Sequence, residues 1–307
     1  PPVRIHQKVS VYLRANGSST VNKSHRNTSQ MSTIQIKKGH DLDLAGKPDK
    51  TFGKFTTPEY LKVTPLDFPG LKPKLLVKEG DTVKIGTALF ADKNQPRLKF
   101  CSPGGGIISN IQIGERRRLE YITIKLDSSE ISEEIRLFTS EEIKQLDEET
   151  IKSHLLNTGN WMMIRQRPFS KIADPGLTPK SIFIAANPTA PFSPDLDFLL
   201  ESDSTGFAEG LDILDRLTSG NINLAVPSDA GHDLLVNSAT ARIHQFSGPH
   251  PAGNVGVQIH HIDPIASAED VVWYVDPQDV MGIGRLFYKS EYPVHKTITI
   301  GGSGLSN

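Results

Sequence analysis

Residues 78–118 read KEGDTVKIGTALFADKNQPRLKFCSPGGGIISNIQIGERRR, and this stretch alternates turn signals with short apolar runs. The turn signals are Glu79–Asp81 and Pro103–Gly106. The runs beside them are rich in Val, Ile and Phe, a composition typical of the strands of small β-rich modules. The stretch therefore predicts a compact β-rich module, from which the rest of the chain can be assigned.

The order of the signals in this stretch is more specific than its composition. After the first turn come V-x-x-G at Val83–Gly86, Leu89-Phe90, Asp92-Lys93 and S-P-x-x-G at Ser102–Gly106. This order resembles the lipoyl- and biotinyl-type domains, in which the lysine of the D-K turn can carry a swinging arm. The interval from Lys93 to Ser102 is longer here than in that pattern. We therefore expect Lys93 to be an unmodified, solvated side chain.

Length, charge and cysteine content limit the possible functions of the chain. A chain of 307 residues predicts two domains. The net charge is −1, with both signs mixed throughout, so a nucleic-acid partner is not expected. The single cysteine, Cys101, excludes an internal disulfide framework and agrees with a reducing, cytoplasmic compartment. No apolar run reaches the roughly 20 residues of a membrane span, so a membrane role requires a partner.

Composition shifts divide the chain into three segments. Residues 1–30 lack acidic residues and are predicted to be a disordered or non-native extension. Residues 31–126 form the β-rich module, and within it residues 34–46 predict a strand and a turn. An acidic break then opens a second domain, residues 127–307. That domain ends at Gly301–Gly304, which we interpret as truncation before a further C-terminal domain.

Strand and helix patterns alternate along the second domain. Thr139 and Glu142 fit a capping box at the start of its first helix. Strands are then predicted at Ser181–Ala186, Ile222–Val226, Val271–Val275 and Thr297–Ile300, and helices at Gly206–Leu217 and Pro277–Lys289. This alternation predicts a Rossmann-like α/β sheet. The fold class is therefore mixed, α/β and α+β, with a β-rich module followed by a Rossmann-like domain.

The potential metal ligands that lie close together in the sequence are four histidines, His244, His250, His260 and His261. Asp263 is the only acidic residue near them. Metal sites need a fixed spacing and carboxylate or thiolate ligands, and His260 and His261 would face opposite ways on a strand. We expect no metal site, and expect instead two solvated histidines and two that bond to the backbone. No G-x-S-x-G is present and Cys101 lies in a turn, so no catalytic residues are predicted.

Several motifs in a fixed order carry a resemblance to a family, from about Met31 onwards. They are IKKGHDL (Ile36–Leu42), FADK (Phe90–Lys93), SPGGG (Ser102–Gly106), GERR (Gly114–Arg117), RQRPFSK (Arg165–Lys171), FSGPHPAG (Phe246–Gly253) and IHHID (Ile259–Asp263). Together they resemble the NqrA family of the bacterial Na⁺-translocating NADH:quinone reductase. The proteins of that family are longer, with a further small β-rich domain.

The resemblance implies a non-membrane subunit of a redox-driven sodium pump, which couples NADH oxidation and quinone reduction to Na⁺ transport. Such a subunit lies at the cytoplasmic face of the bacterial inner membrane. It is held there by a membrane-embedded partner, near the quinone-reducing end. The flavins, the iron–sulfur centre, NADH and quinone belong to other subunits, so this chain is expected to bind no cofactor and to be inactive in isolation.

The second domain also resembles the flavin-carrying, NADH-binding subunit of respiratory complex I. The glycine-rich flavin loop of that relative corresponds to Gly159–Lys171, where this chain has Trp161–Gln166 in place of the glycines. Phosphate-binding loops need glycines so that the backbone can approach the phosphate. Acidic residues of the relative are likewise replaced by Pro188, Thr189 and Ala190. Both replacements are expected to fill the flavin site, with the fold retained.

Two further classes of function stay open from the sequence: a flavin-dependent NADH oxidoreductase in its own right, and a lipoyl- or biotinyl-type carrier. For the leading interpretation, we expect the loop Phe246–Gly253 to present Phe246 and His250 outward between two strands. The alternative is a proline-braced core crossing. The residues expected to be quinone- or partner-proximal are Phe246, His250, Pro251, His244 and His260.

Overall fold

The computed structural model describes residues 33–42, 44, 48–53, 56–127, 131–231 and 233–300. The predicted extension, residues 1–30, and the glycine cluster Gly301–Gly304 lie outside these residues. Part of the acidic break between the two predicted domains also lies outside them.

The first part of the chain forms a module of two small sheets. The first strand of the chain, β1 (Thr33–Gln35), lies outside this module. The strands of the module are β2 (Tyr60–Val63), β3 (Pro73–Leu75), β4 (Thr82–Val83), β5 (Ala88–Asp92), β6 (Lys99–Cys101), β7 (Gly106–Ile113) and β8 (Leu119–Leu126). One sheet has the order β2-β8-β7-β4 and the other β3-β5-β6. Short helical turns lie at Pro65–Asp67 and Glu115–Arg117.

Alternating apolar side chains close the two small sheets around one core. Leu89, Phe90, Ile122 and Ile124 are fully buried, and the rings of Phe90 and Phe100 stack with centroids 4.7 Å apart. Gly106 has φ +154°, and a Cβ there would collide with the Lys125 carbonyl of the neighbouring strand. The glycine-rich turn is therefore required for the two strands to approach each other. The predicted β-rich module is confirmed.

The second part of the chain contains six further strands and seven helices among the described residues. The strands are β9 (Arg165–Arg167), β10 (Lys171–Ile172), β11 (Ser181–Ala185), β12 (Asn221–Pro227), β13 (Ala241–Ser247) and β14 (Val272–Val275). The helices are α1 (Ser140–Ile143), α2 (Glu148–Asn157), α3 (Leu196–Ser202), α4 (Ser204–Asp215), α5 (Asp233–Val236), α6 (Val255–Ile262) and α7 (Pro277–Tyr288). A short turn of 3-10 helix spans Trp161–Met163.

These strands form one seven-stranded sheet of order β1-β13-β12-β11-β14-β9-β10. The strands from β1 to β14 in this order are parallel, and β9 and β10 extend the sheet as an antiparallel hairpin. The strand order reverses between β11 and β14, as it does in Rossmann-like folds. The predicted Rossmann-like architecture is therefore confirmed.

The first strand joins the larger sheet and not the β-rich module that surrounds it in the sequence. Ile34 lies opposite Phe246, and the Thr33 hydroxyl donates to the Gln245 side chain at 3.1 Å. The backbone then continues along this edge, where the amide of His40 donates to the His250 carbonyl at 2.9 Å. The chain thus contributes a strand to the larger sheet before β2 begins. The boundaries at residues 30 and 126 stay a prediction.

Helix positions in the second part follow the local signals of the sequence. The capping box is present, since the Glu142 amide donates to the Thr139 hydroxyl and the Thr139 amide donates to the Glu142 carboxylate. The backbones of helices α4 and α7 are in direct contact at Gly206 and Gly284. Only glycine fits at position 284, since a Cβ there would collide with the Gly206 carbonyl. Within the described part of the chain, no helix is long and apolar enough to cross a membrane.

Two predictions of secondary structure are wrong. Thr297–Ile300 is not a strand, because its backbone bonds to a side chain of α7 and pairs with no strand among the described residues. The segment after β13 leads into helix α6 and does not connect two strands. His260 and His261 therefore lie on a helix, where the Asn254 side chain caps the first turn by accepting from Gly256 at 2.9 Å.

Candidate functional site

A cavity of about 1210 Å³ opens at the carboxyl ends of β11 and β12. Open α/β sheets bind their ligands at this edge, in the crevice where the strand order reverses. The volume is that of a small-molecule site. The wall is formed by Pro48–Gly53, by Pro58 and Tyr60–Lys62, by residues 186–188, 190 and 192–199, by residues 227, 229, 230 and 235, and by Thr297–Ile300.

One wall of the cavity comes from the segment that precedes the β-rich module. The ammonium of Lys50 lies 2.7 Å from the Asp195 carboxylate, at the start of α3. Next to this ion pair, the rings of Phe52 and Phe198 are in contact, with centroids 5.0 Å apart. The segment is therefore attached to the sheet domain by one charged and one aromatic contact. Together the two contacts form a partly apolar rim.

The opposite wall comes from the segment after α7. The Gln278 side chain bonds the Thr297 backbone twice, donating to its carbonyl at 2.9 Å and accepting from its amide at 2.8 Å. Lys296 is paired with Asp279 at 3.2 Å and Asp276 at 3.4 Å, and the Thr299 hydroxyl donates to the Phe192 carbonyl. These bonds replace the strand pairing predicted here. They hold Thr297–Ile300 along the cavity.

The electrostatics of the strand ends disfavour a phosphate group. Helices that begin after β11 and β14 are both capped by carboxylates: Asp195 accepts from the Phe198 amide at 2.9 Å, and Asp276 accepts from the Gln278 amide at 3.0 Å. A phosphate bound at a helix N-terminus would need those same amides. Aspartates also outnumber lysines along the wall, which carries Asp49, Asp195, Asp197 and Asp229 against Lys50 and Lys62.

Asp195 and Asp279 have pKa values that are shifted in opposite directions, although burial raises the pKa of both. Burial raises the pKa of Asp195, but hydrogen bonds from Lys50 and from the Phe198 amide outweigh it, so its pKa lies below the ordinary value. Burial dominates at Asp279 and raises its pKa to about 6, although Lys296 opposes the shift. Asp195 is therefore a fixed negative charge at the mouth of the cavity. Asp279 lies beneath the segment that forms the opposite wall.

Within the segment Gly159–Lys171, the part that precedes β9 is tightly packed and leaves little space for a ligand. Trp161 is fully buried, donates from Nε1 to the Ala173 carbonyl at 2.7 Å and makes an edge contact with Trp273. Met163 and Ile164 are also buried. The space left beside Gly159–Met163 is about 60 Å³, far below the roughly 300 Å³ of the smallest ligand pockets. The bulky side chains thus belong to the core.

The second predicted replacement does not fill a site. Pro188 and Ala190 line the open cavity, and the hydroxyl of Thr189 accepts from the Gly253 amide at 3.0 Å. The prediction that all three residues occlude a flavin site is therefore wrong. The small side chain of Ala190 and the cyclic one of Pro188 leave the space after β11 open.

The predicted quinone- or partner-proximal residues do not form one cluster. His250 is exposed, with Nδ1 3.0 Å from the Thr189 hydroxyl and its amide donating to Asp41 at 2.7 Å. Pro251 is half-buried beside it, whereas His260 is exposed on α6. The prediction that Phe246 faces outward is wrong, because Phe246 is buried within β13.

His244 is half-buried in the sheet. Its Nε2 lies 3.0 Å from the Asn223 side chain, and burial, assisted by Arg242, lowers its pKa. On α6, the His261 Nδ1 lies 2.9 Å from the Val257 carbonyl. Within residues 33–300, apart from the gaps given above, no three His, Cys, Asp or Glu side chains are placed to share a metal ion. Whether the predicted residues contact a quinone or a partner stays a prediction.

The sequence interpretation missed the residues that build the cavity. Asp195 could have been found from its own signal, since P-D-L-D-F-L-L is a helix start with an acidic N-cap. Lys50, Phe52 and Gln278 carry no comparable signal. Their roles depend on contacts with residues far away in the chain.

Comparison with known proteins agrees with both parts of the fold. Residues 34–127 match the family model described as the NqrA N-terminal barrel-sandwich hybrid domain. Residues 146–292 match the one described as the NqrA second alpha/beta domain. The match to a barrel-sandwich domain supports the predicted lipoyl-like architecture of the first module.

Curated relatives carry the same designation. The chain is 38% identical to the NqrA protein of the Na(+)-translocating NADH-quinone reductase of Yersinia pestis. The similar region is 270 residues long and covers 88% of this chain and 60% of the relative. The chain is 35% identical over 275 residues to the protein of the same name from Tolumonas auensis, covering 89% of this chain and 60% of the relative. The chain thus spans about 60% of the length of these relatives.

Proposed function

The chain belongs to the NqrA family of the Na⁺-translocating NADH-quinone reductase, and on that premise we propose that it serves a sodium-pumping NADH:quinone reductase as a non-membrane subunit. In that role the assembly couples NADH oxidation and quinone reduction to Na⁺ transport. The chain lies at the cytoplasmic face of the bacterial inner membrane, held by a membrane-embedded partner. The flavins, the iron–sulfur centre and NADH reside on other subunits.

The observation that carries this proposal is the state of the strand-end cavity. A flavin nucleotide or NADH needs a place for its phosphates. At the carboxyl ends of β11 and β14, the carboxylates of Asp195 and Asp276 already accept hydrogen bonds from the amides of the helix N-termini. The acidic wall of the cavity adds repulsion. In place of a glycine-rich, phosphate-binding loop, the chain has a core segment around Trp161. Both features favour a protein without a nucleotide cofactor.

The same cavity supports a role near quinone. A quinone head group is flat and uncharged, with two carbonyl oxygens that accept hydrogen bonds, so it does not need the phosphate-binding groups that the strand ends lack. Phe52, Phe198 and Ile298 supply apolar surface, and the Asn187 amide supplies a polar group. The exposed residues His250 and His260 and the half-buried Pro251 stay proposed as partner-proximal. His244 and Phe246 would act from within the sheet, by packing beneath that surface.

Assembly tests the proposed function directly. The full-length protein carrying an affinity tag is expected to co-purify from detergent-solubilised membranes with NADH:quinone reductase activity and with a membrane-embedded partner. The captured complex is expected to contain flavin, whereas the tagged protein dissociated from it is expected to be colourless. Recovery of a lone, flavin-coloured protein would contradict the proposal and favour an independent oxidoreductase.

The carrier alternative is decided at Lys93. In the structure the Asp92 carboxylate accepts from the Asn94 amide at 3.1 Å, so the lysine is presented at an exposed turn. We expect peptide mass spectrometry of protein from its native source to find this lysine unmodified. A lipoyl or biotinyl mass on Lys93 would overturn the assignment.

A further inference from the structure

The turn between β9 and β10, residues 167–170, displays an aromatic ring to solvent. Phe169 is 89% exposed, the largest exposed fraction of any large apolar side chain in the described residues. In the same domain, the side chains of Phe183, Phe207 and Phe287 are fully buried. An isolated exposed apolar residue is ordinary, but one of this size and exposure at a rigid turn is not.

The backbone of this turn is held in an unfavourable conformation. Phe169 has φ +74° and Ser170 has φ +52°, both in the left-handed region, which disfavours bulky side chains. Glycine at position 169 would adopt this conformation without the steric penalty. Strained residues that persist in a structure are found preferentially at functional sites, so the presence of phenylalanine here is itself an observation that requires a reason.

Side chains from the sheet keep the turn in place. The Arg165 guanidinium donates to the Ser170 carbonyl, and the Ser170 hydroxyl lies 2.5 Å from the Tyr274 hydroxyl. The guanidinium of Arg167 lies over the Tyr274 ring, 5.3 Å from its centroid. The turn is therefore pre-organised, and Phe169 projects from a fixed frame. Such a frame lowers the conformational entropy that is lost when a partner binds.

The register places the turn away from the cavity. Arg165 lies opposite Tyr274 and Arg167 opposite Val272, so the hairpin runs back towards the amino end of β14. The cavity lies at the carboxyl ends of the parallel strands, on the opposite edge of the sheet. The edge strand β10 is only two residues long. A partner at this edge would leave the cavity accessible.

We propose that Phe169 is the anchor of a protein–protein contact, inserted into an apolar pocket with a carboxylate at its rim on another subunit of the reductase. Two of the three basic residues of the hairpin are engaged within it, Arg165 with a carbonyl and Arg167 with a ring. The exposed Lys171 is the cation left for a partner. One aromatic anchor with one cation fits a protein hot spot, whereas a membrane surface is held by clusters of basic residues.

This inference rests on the proposed function, because it takes its partner from the same assembly. The test uses the full-length protein, titrated back to solubilised reductase from which it has been removed. Phe169→Gly is expected to weaken rebinding at least about tenfold, while the melting temperature of the protein stays unchanged or rises, since glycine relieves the left-handed strain. Ile107→Ala, at a residue 50% exposed on the other module, is the matched control and is expected to rebind normally.

The outcomes separate the two proposals. If the unaltered protein fails to rebind, the proposed function falls and this inference falls with it. If the unaltered protein rebinds and Phe169→Gly rebinds equally well, only the inference is overturned. A lower melting temperature for Phe169→Gly would also overturn it, because that result would make the ring a structural element. A benzophenone amino acid at position 169 identifies the contact: a cross-link to another subunit supports the inference, and a cross-link to lipid or to nothing contradicts it.

Discussion

Two regions of the sheet domain differ in how much space they leave for a ligand. The loop around Trp161 is packed so tightly that about 60 Å³ remains beside it, while at the strand ends about 1210 Å³ stays open. The loop is closed by large apolar side chains, and the strand ends have carboxylates at their helix N-termini. A Rossmann-like domain can thus be unable to bind phosphate for two reasons. Large side chains can fill the phosphate loop, and carboxylates can accept the hydrogen bonds of the helix N-terminal amides that a phosphate would need.

The largest effect on stability is expected in the tightly packed loop around Trp161. Trp161→Ala removes a fully buried indole and leaves the Ala173 carbonyl without its donor, so it should lower the free energy of unfolding by about 3–5 kcal/mol. Phe198→Ala, at a half-buried ring of the open cavity, is the matched comparison and should cost about 1 kcal/mol. Denaturant unfolding measures both. Equal losses would remove the distinction between the filled and the open side.

A pH effect is expected from the helix that leads into the filled loop. Burial lowers the pKa of His154 from 6.5 to about 4, and its ring packs against Phe138 and Phe287. Because the unfolded chain binds the proton more tightly, stability should be complete above pH 6.5 and fall as the pH drops towards 4, by about 3 kcal/mol. His154→Phe should have a flatter stability profile over this window. An unchanged slope would show that other groups are responsible.

A smaller, local effect is expected at the wall of the open cavity. Gln278→Ala removes both hydrogen bonds to the Thr297 backbone, a loss of about 1–2 kcal/mol locally. Hydrogen exchange of the Thr297 amide should accelerate about tenfold, with little change in global stability. Gln112→Ala, in the other module, is the control and should leave this amide unaffected. Exchange that stays slow in Gln278→Ala would mean that other contacts hold the wall.

The smallest effect is expected from the ion pair at the cavity mouth. Lys50 and Asp195 are both exposed, so their coupling in a double-mutant cycle should be at or below the detection limit of unfolding measurements. Asp195→Ala alone should cost more than Lys50→Ala, because it also removes the cap of α3. Unfolding of the single and double variants supplies the cycle. A coupling well above this limit would indicate that the pair is shielded from solvent.

Local sequence patterns predicted which segments form helices and strands better than they predicted how the strands are arranged in the sheets. The capping box at Thr139 and the strand from Ser181 were visible because their signals lie within a few residues. The alternation of residues 34–46 indicated a strand but could not show that it pairs with β13, which lies more than two hundred positions away. Phe246 resembled a loop residue because proline and glycine follow it. Its burial depends on Ile34 and Pro227 in the neighbouring strands.

The candidate site was less predictable, for the same physical reason. Its walls come from segments far apart in the sequence, and only the sheet brings Lys50, Asp195 and Thr297 to one edge. The replacement of glycines by Trp161 and its neighbours was visible in the sequence and is matched by a filled loop. Pro188 and Ala190 were likewise predicted to fill the flavin site, but they border an open cavity. The size of a residue does not show whether another segment of the chain packs against it.

Calorimetric titration with flavin mononucleotide and with NADH tests the central claim, that the donors at the strand ends are occupied and the flavin loop is filled. We predict no binding of either nucleotide at ligand concentrations up to about 1 mM. A dissociation constant of about 1 mM corresponds to a binding free energy of only about −4 kcal/mol. A dissociation constant in the micromolar range for either nucleotide, weakened when a bulkier side chain replaces Ala190 in the cavity, would contradict the account.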